Sequence, residues 1–99
     1  MLDRSMSLKD LELIFQRITA SYAERGVDHI DLTGKDFYLA IDTRAMFDVY
    51  ETPREPLPVG SLIDDLAELG KFIDEPDHMA TVVDIERLGN VLRAVSEAL

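Results

Sequence analysis

The stretch Val27-Asp28-His29-Ile30-Asp31-Leu32-Thr33-Gly34-Lys35-Asp36-Phe37-Tyr38-Leu39-Ala40-Ile41 decides the fold class. The other clearly periodic segments of the chain read as helices, so the β part of the fold rests on this stretch. Phe37, Leu39 and Ile41 alternate with Tyr38 and Ala40, which is the period of a strand. Thr33-Gly34-Lys35-Asp36 reads as a turn, with Gly34 supplying a positive φ. Residues 27–32 alternate more weakly. The stretch predicts a β-hairpin in which 27–32 pairs with 37–41. A lone two-stranded hairpin is marginal in water, so it must pack on helices or gain another strand.

Working outward, the N-terminal side supplies a helix over 8–25. Ser7 is a good N-cap, with Asp10 three residues on. Leu8, Leu11, Phe15, Ile18 and Tyr22 recur at spacings of 3 and 4, with Ile14 beside them. Gly26 follows where a left-handed cap belongs. On the C-terminal side, 42–48 reads as a short helix capped by Asp42 or Thr43. Pro53, Pro56 and Pro58 then impose an extended path, and Pro53-Arg54-Glu55-Pro56 matches the PxxP pattern of docking ligands. A covering loop is the simpler reading of that segment.

A helix starts at Ser61, where Asp64 completes S-x-x-D. Leu62, Ile63, Leu66, Leu69 and Ile73 form its expected apolar arc, with Asp64, Asp65, Glu68 and Lys71 on the opposite, solvated face. Residues 74–78 form a loop broken by Pro76. The last helix spans 84–98, or begins as early as Met79, and Ile85, Leu88, Leu92, Val95 and Leu99 mark its seam, broadened by Val91 and Ala98. Gly89 inside it costs about 1 kcal/mol relative to alanine, which suggests a close neighbouring helix. The expected fold is α+β: a long N-terminal helix, a β-hairpin, a short helix, then two C-terminal helices. With 99 residues it is expected as one domain, 1–99, around one core.

Twenty acids against ten bases leave a net charge of −10. Nucleic-acid binding needs clustered Lys and Arg, so it is not expected, and anionic membrane surfaces are disfavoured for the same reason. Residues 1–27 are neutral, with four acids and four bases, and all the net charge lies in 28–99. No apolar run is long enough to span a bilayer, and no basic-then-apolar leader opens the chain. There is no cysteine, which removes disulfides and thiolate chemistry; a cytoplasmic location is expected.

Few residues suggest chemistry. Asp64 and Asp65 diverge by about 100° on a helix and sit at its N-terminus, which favours their ionised forms; capping and solvation explain them. His29 with Asp28 and Asp31, and His78 with Asp74, Glu75 and Asp77, offer metal-ligand types, but neither set has helical His spacing or an EF-hand pattern. No serine lies in a nucleophile elbow, and no phosphate-binding glycine loop is present. No catalytic residue, metal or cofactor is assigned. Tyr38, Phe47 and Tyr50 cluster in sequence beside the prolines, and tyrosine is enriched at interfaces.

Phe37-Tyr38, Met46-Phe47-Asp48-x-Tyr50, Pro53 and, above all, Val59-Gly60-Ser61-Leu62-x-Asp64-Asp65-x-x-x-Leu69 resemble the pattern of a family of small uncharacterised bacterial proteins. The resemblance covers about residues 37–94 and fades around Leu88-x-x-x-Leu92-Arg93-Ala94. It implies a bacterial, cytosolic setting and no mechanism. Three functions are carried forward as expectations. The first is a non-catalytic protein-interaction module, with Tyr38, Tyr50, Asp64, Asp65 and Glu68 on a surface that meets a basic partner. The second is a homodimer through the neutral N-terminal helix, with Leu13 and Ala20 on its contact face. The third is a small enzyme or metal-dependent protein using His29 or His78 with neighbouring Asp residues.

Overall fold

Ser7 starts the first helix, α1 (Leu8–Glu24): its backbone is extended and its hydroxyl accepts a hydrogen bond from the Asp10 N–H at 3.0 Å. That satisfies one of the amides a helix leaves free in its first turn. After Glu24, Arg25 caps the helix and donates from Nε to the Ser21 carbonyl at 3.2 Å, with its guanidinium over the Tyr22 ring. Gly26, at a φ of 86°, then turns the chain out of the helix. The computed structural model describes residues 4–50 and 57–99. The chain divides into two compact units, Met1–Ile30, which holds α1, and Asp31–Leu99.

The second unit opens with the expected turn. The Lys35 N–H donates to the Leu32 carbonyl at 3.1 Å, and Gly34 has a φ of 86°. Strand β1 (Phe37–Leu39) follows, then α2 (Thr43–Phe47), strand β2 (Val59–Ser61), α3 (Leu62–Asp74) and α4 (Val82–Ala98). The α+β class holds, with helix, paired strands, short helix and two C-terminal helices. The partner of β1 is not 27–32. Strand β1 pairs antiparallel with β2, in the register Phe37↔Ser61, Tyr38↔Gly60 and Leu39↔Val59, so α2 lies in the connection between the strands. Residues 27–32 carry Asp28, His29 and Asp31, and Asp31 accepts from the Thr33 N–H at 2.9 Å. Such local side-chain bonding competes with a ladder. The path read as extended is extended at 59–60, and there it forms half of the sheet. The PxxP segment lies outside the described residues.

The two short helices and strands are locally well specified. Asp42 caps α2 by accepting from the Arg44 N–H at 2.9 Å, and Ser61 caps α3 by accepting from the Asp64 N–H at 3.2 Å. Thr81 precedes α4, which begins at Val82; the Thr81 N–H donates to the Asp84 carboxylate at 2.9 Å.

Helices α3 and α4 pack on each other, and α3 also meets β1. The faces that meet hold only part of the expected seams: Leu62 and Leu69 of α3, and Val91 and Val95 of α4. Leu62, at 2% exposure, and Val91 are the buried apolar residues, and Asp65 (8%) and Asp84 (7%) are buried beside them. Ile63, Leu66 and Ile73 of the expected α3 arc are exposed, as are Ile85, Leu88, Leu92 and Leu99 of the α4 seam. The inward stripe of α4 has Asp84 and Val91 buried and Arg87, Asn90, Ala94 and Val95 half-buried. Gly89 faces open space: a Cβ there would meet nothing within 4 Å, so it admits no close helix.

Candidate functional site

The centre of the second unit is polar. Tyr38 points from the middle of β1 toward the helices, and its hydroxyl donates to Asp65 Oδ2 of α3 at 2.6 Å. The Tyr38 hydroxyl oxygen in turn accepts from Asn90 Nδ2 of α4 at 3.0 Å. One phenol thereby ties three elements together. Hydrogen bonds to a charged acceptor are stronger than neutral ones, and the surroundings are partly shielded from water. Burial, and then the Asp65 carboxylate, push the phenol up to about 12.

Gly60 explains how the ring fits. It lies directly opposite Tyr38, and a Cβ on it would overlap the ring at Cε2 and Cζ. The neighbouring residues then act in succession: Gly60 admits the ring, Ser61 caps α3, Leu62 fills the core and Asp65 receives the phenol. Read physically, Phe37-Tyr38 and Val59-Gly60-Ser61-Leu62-x-Asp64-Asp65 are two halves of one packing unit.

A second polar cluster opens α4. Asp84 Oδ2 accepts from the Thr81 N–H and hydroxyl, and Asp84 Oδ1 accepts from Arg87 Nη1 at 2.9 Å. The Thr81 N–H is the chief reason that the Asp84 carboxyl is held below its ordinary range.

The expected surface residues therefore separate. Asp65 was expected on the solvated face of its helix; it is buried, because the Tyr38 hydroxyl provides the partner that an interior carboxylate requires. Tyr38 is half-buried with it. Asp64 is exposed in the first turn of α3, and Glu68 pairs with Lys71 at 2.9 Å, whose ammonium holds the carboxyl below its usual range. Tyr50 stands 95% exposed. Leu13 and Ala20 are both exposed on α1. His29 lies 3.2 Å from Asp28, both fully in solvent, and His78 lies 3.6 Å from Glu75 with its ring edge-on to Phe72. Among the described residues, no group of three or more His, Asp or Glu side chains gathers as a metal site would require. No described helix is long and apolar enough to cross a membrane.

Sequence reading missed Asp84 and Asn90, and it placed Gly60 in a motif without its role opposite Tyr38. Thr81-x-x-Asp84 is the same capping signal as Ser61-x-x-Asp64 and could have placed Asp84. Asn90, a weak helix former inside a helix, was a cue to a buried hydrogen bond. Nothing local marks Gly60, whose role exists only across the sheet.

Two open concavities flank Tyr38. The larger, about 660 Å³, lies between α2 and α4. Its apolar wall includes Ile41, Met46, Phe47 and Ile85, and Asp42 and Glu86 stand on its rim. The smaller, about 340 Å³, lies between β1 and α4. A phenol held near 12 and committed to a carboxylate stays protonated at neutral pH, and it is neither nucleophile nor base there. The cluster fastens the fold, and the two concavities lie open on either side of it. No family model, curated protein or solved structure matches the chain.

Proposed function

We propose that the protein is a non-catalytic interaction module of the cytoplasm, and that the groove between α2 and α4 receives a partner with a basic surface. One observation carries this reading: apolar side chains stand in the open around that groove, Phe47 at 84% exposure and Ile85 at 69%. Exposed apolar groups gathered at a concavity mark interaction sites. Charge supports the choice of partner. Fifteen acids and six bases in 31–99 leave −9 on that unit, a field that draws cationic surfaces and repels anionic ones. The polar residues best placed for chemistry are occupied in holding the fold, which also favours binding over catalysis.

Pull-down from the protein's own cell extract tests the proposal. A partner retained at low salt, released at high salt and lost by Phe47→Ser is the expected result. Retention of nothing at low salt, or retention indifferent to Phe47→Ser, contradicts it.

A second reading, self-association through α1, draws on the exposed Leu13 and Ala20 and on the neutrality of 1–27. Light scattering at micromolar concentration distinguishes it, since a dimer has twice the 11.2 kDa of the chain.

A further inference from the structure

Strand β1 has a second edge. Its ladder to β2 uses Asp36, Tyr38 and Ala40: the Ala40 N–H donates to the Pro58 carbonyl at 2.8 Å, the Leu62 N–H donates to the Asp36 carbonyl at 2.9 Å, and Tyr38 faces Gly60 between them. In an antiparallel pair, alternate residues turn their N–H and C=O groups away from the partner. On β1 those residues are Phe37 and Leu39.

The smaller concavity, about 340 Å³, follows that edge. Lys35, Phe37 and Leu39 line it, whereas Asp36 and Ala40, which turn a C=O and an N–H toward the β2 side, do not. Its far wall is α4, through Asn90, Arg93 and Glu97, and the buried Leu62 reaches its floor. An open strand edge beside a helix is the geometry that accepts an extended peptide as an added strand, with main-chain hydrogen bonds supplying affinity and flanking side chains selecting the sequence.

The charges here invert those of the surrounding unit. Two cations and one acid line the groove, in a unit of net −9. Lys35 is half-buried and shares its charge with the exposed Glu97 at 3.6 Å. Arg93 donates to Met46 Sδ at 3.1 Å, and among the described residues its guanidinium has no carboxylate partner. A guanidinium is suited to bind a carboxylate through two parallel hydrogen bonds.

We propose that an extended peptide segment bearing a carboxylate adds to the free edge of β1 as a third strand, lying between β1 and α4 with its carboxylate on Arg93 and Lys35. The Phe37 and Leu39 N–H and C=O groups receive its backbone. The inference rests on the interaction-module reading and gives the partner a specific anchor: its overall surface is basic, and the segment that enters this groove carries the acid. A side chain and a chain terminus can each supply that carboxylate.

Titration of the full-length, isotope-labelled protein tests the proposal by amide chemical shifts. The probes are acetyl-Val-Glu-Val-Glu-amide, acetyl-Val-Val-Val with a free C-terminus, and acetyl-Val-Lys-Val-Lys-amide. Saturable binding of either carboxylate peptide is expected, with shifts centred on Phe37 and Leu39; which of the two binds identifies the source of the carboxylate. Affinity should fall about tenfold or more with Arg93→Gln. It should fall similarly when alternate amides of the peptide are N-methylated, a change that leaves the protein untouched. The proposal is overturned if neither carboxylate peptide saturates, if the lysine peptide binds as tightly, if N-methylation has no effect, or if free protein is a dimer whose β1 edges already pair. The extract pull-down separates the two proposals with Lys35→Gln, since Lys35 lines only this groove while Arg93 lines both: a partner lost by Phe47→Ser but held equally by wild type and Lys35→Gln removes this groove and leaves the interaction module standing.

Discussion

Helix α1 and the α3–α4 pair are written in similar patterns, but they differ in what they bury. The stripe of α1 runs through Leu8, Leu11, Phe15, Ile18 and Tyr22, and no residue of that helix is buried. The stripes of α3 and α4 are no less regular, yet their most enclosed residues are Leu62, Val91 and two aspartates. Within their own unit the pair gain partners from far along the chain. Tyr38 comes from a strand 27 residues before Asp65, and Asn90 comes from 52 residues after Tyr38. Helix α1 is specified by contacts within a turn or two: Ser7 with Asp10, Arg25 with Ser21. Periodicity describes a helix of either kind, but the distant polar partners bring Asp65 and Asn90 onto the inward faces beside Leu62 and Val91.

The largest effect that sharpens this contrast comes from Gly60. Gly60→Ala places a methyl group against the Tyr38 ring, so the ring must shift and its bond to Asp65 is lost. A destabilisation of about 3 kcal/mol is expected from the overpacking and the lost charged hydrogen bond, measured by urea unfolding. A loss below about 0.5 kcal/mol, the scale of a neutral surface change, would break the account.

Alkaline pH tests the same contact without a change of volume. The Tyr38 phenol moves from an ordinary 10.0 up to about 12 in the folded protein, so the folded state holds that proton more tightly. Its contribution to stability is intact below pH 10 and drains away as pH rises through 12. Wild type should lose stability more steeply over that window than Tyr38→Phe; parallel curves would contradict the expectation.

Smaller effects belong to local features. Ser7→Ala should cost about 1 kcal/mol through the lost cap, seen as reduced helicity on far-ultraviolet circular dichroism, with the Tyr38 titration unmoved. Gly89→Ala should stabilise by up to about 1 kcal/mol, raising Tm, because a Cβ there meets nothing. Gly60 and Gly89 thus give substitutions of opposite sign from the same residue change.

These differences mark how far the sequence could be read. Ser7, Gly26, Asp42, Ser61 and Asp64 announce element ends by local hydrogen bonds or backbone preference, and the structure places each one there. The α+β class followed from the alternation at 37–41. The strand partner did not, because a proline-rich approach to Gly60 reads as an extended path until Tyr38 is set opposite it. Asp65 was placed in solvent for the ordinary reason that charge avoids the interior; the Tyr38 phenol, distant in sequence and itself held by Asn90, reverses that placement. On α4 the leucines suggested a seam, while Thr81 and Arg87 made it favourable to turn Asp84 inward. Of the expected surface set, only the Tyr38–Asp65 pair converges, and it does so as a brace.

A double-mutant cycle on Tyr38→Phe and Asp65→Ala, read by urea unfolding at neutral pH, addresses that brace most directly. The account predicts a coupling of about 2 kcal/mol, the worth of a shielded hydrogen bond to a charged group. Additive effects, with a coupling within about 0.3 kcal/mol of zero, would contradict it.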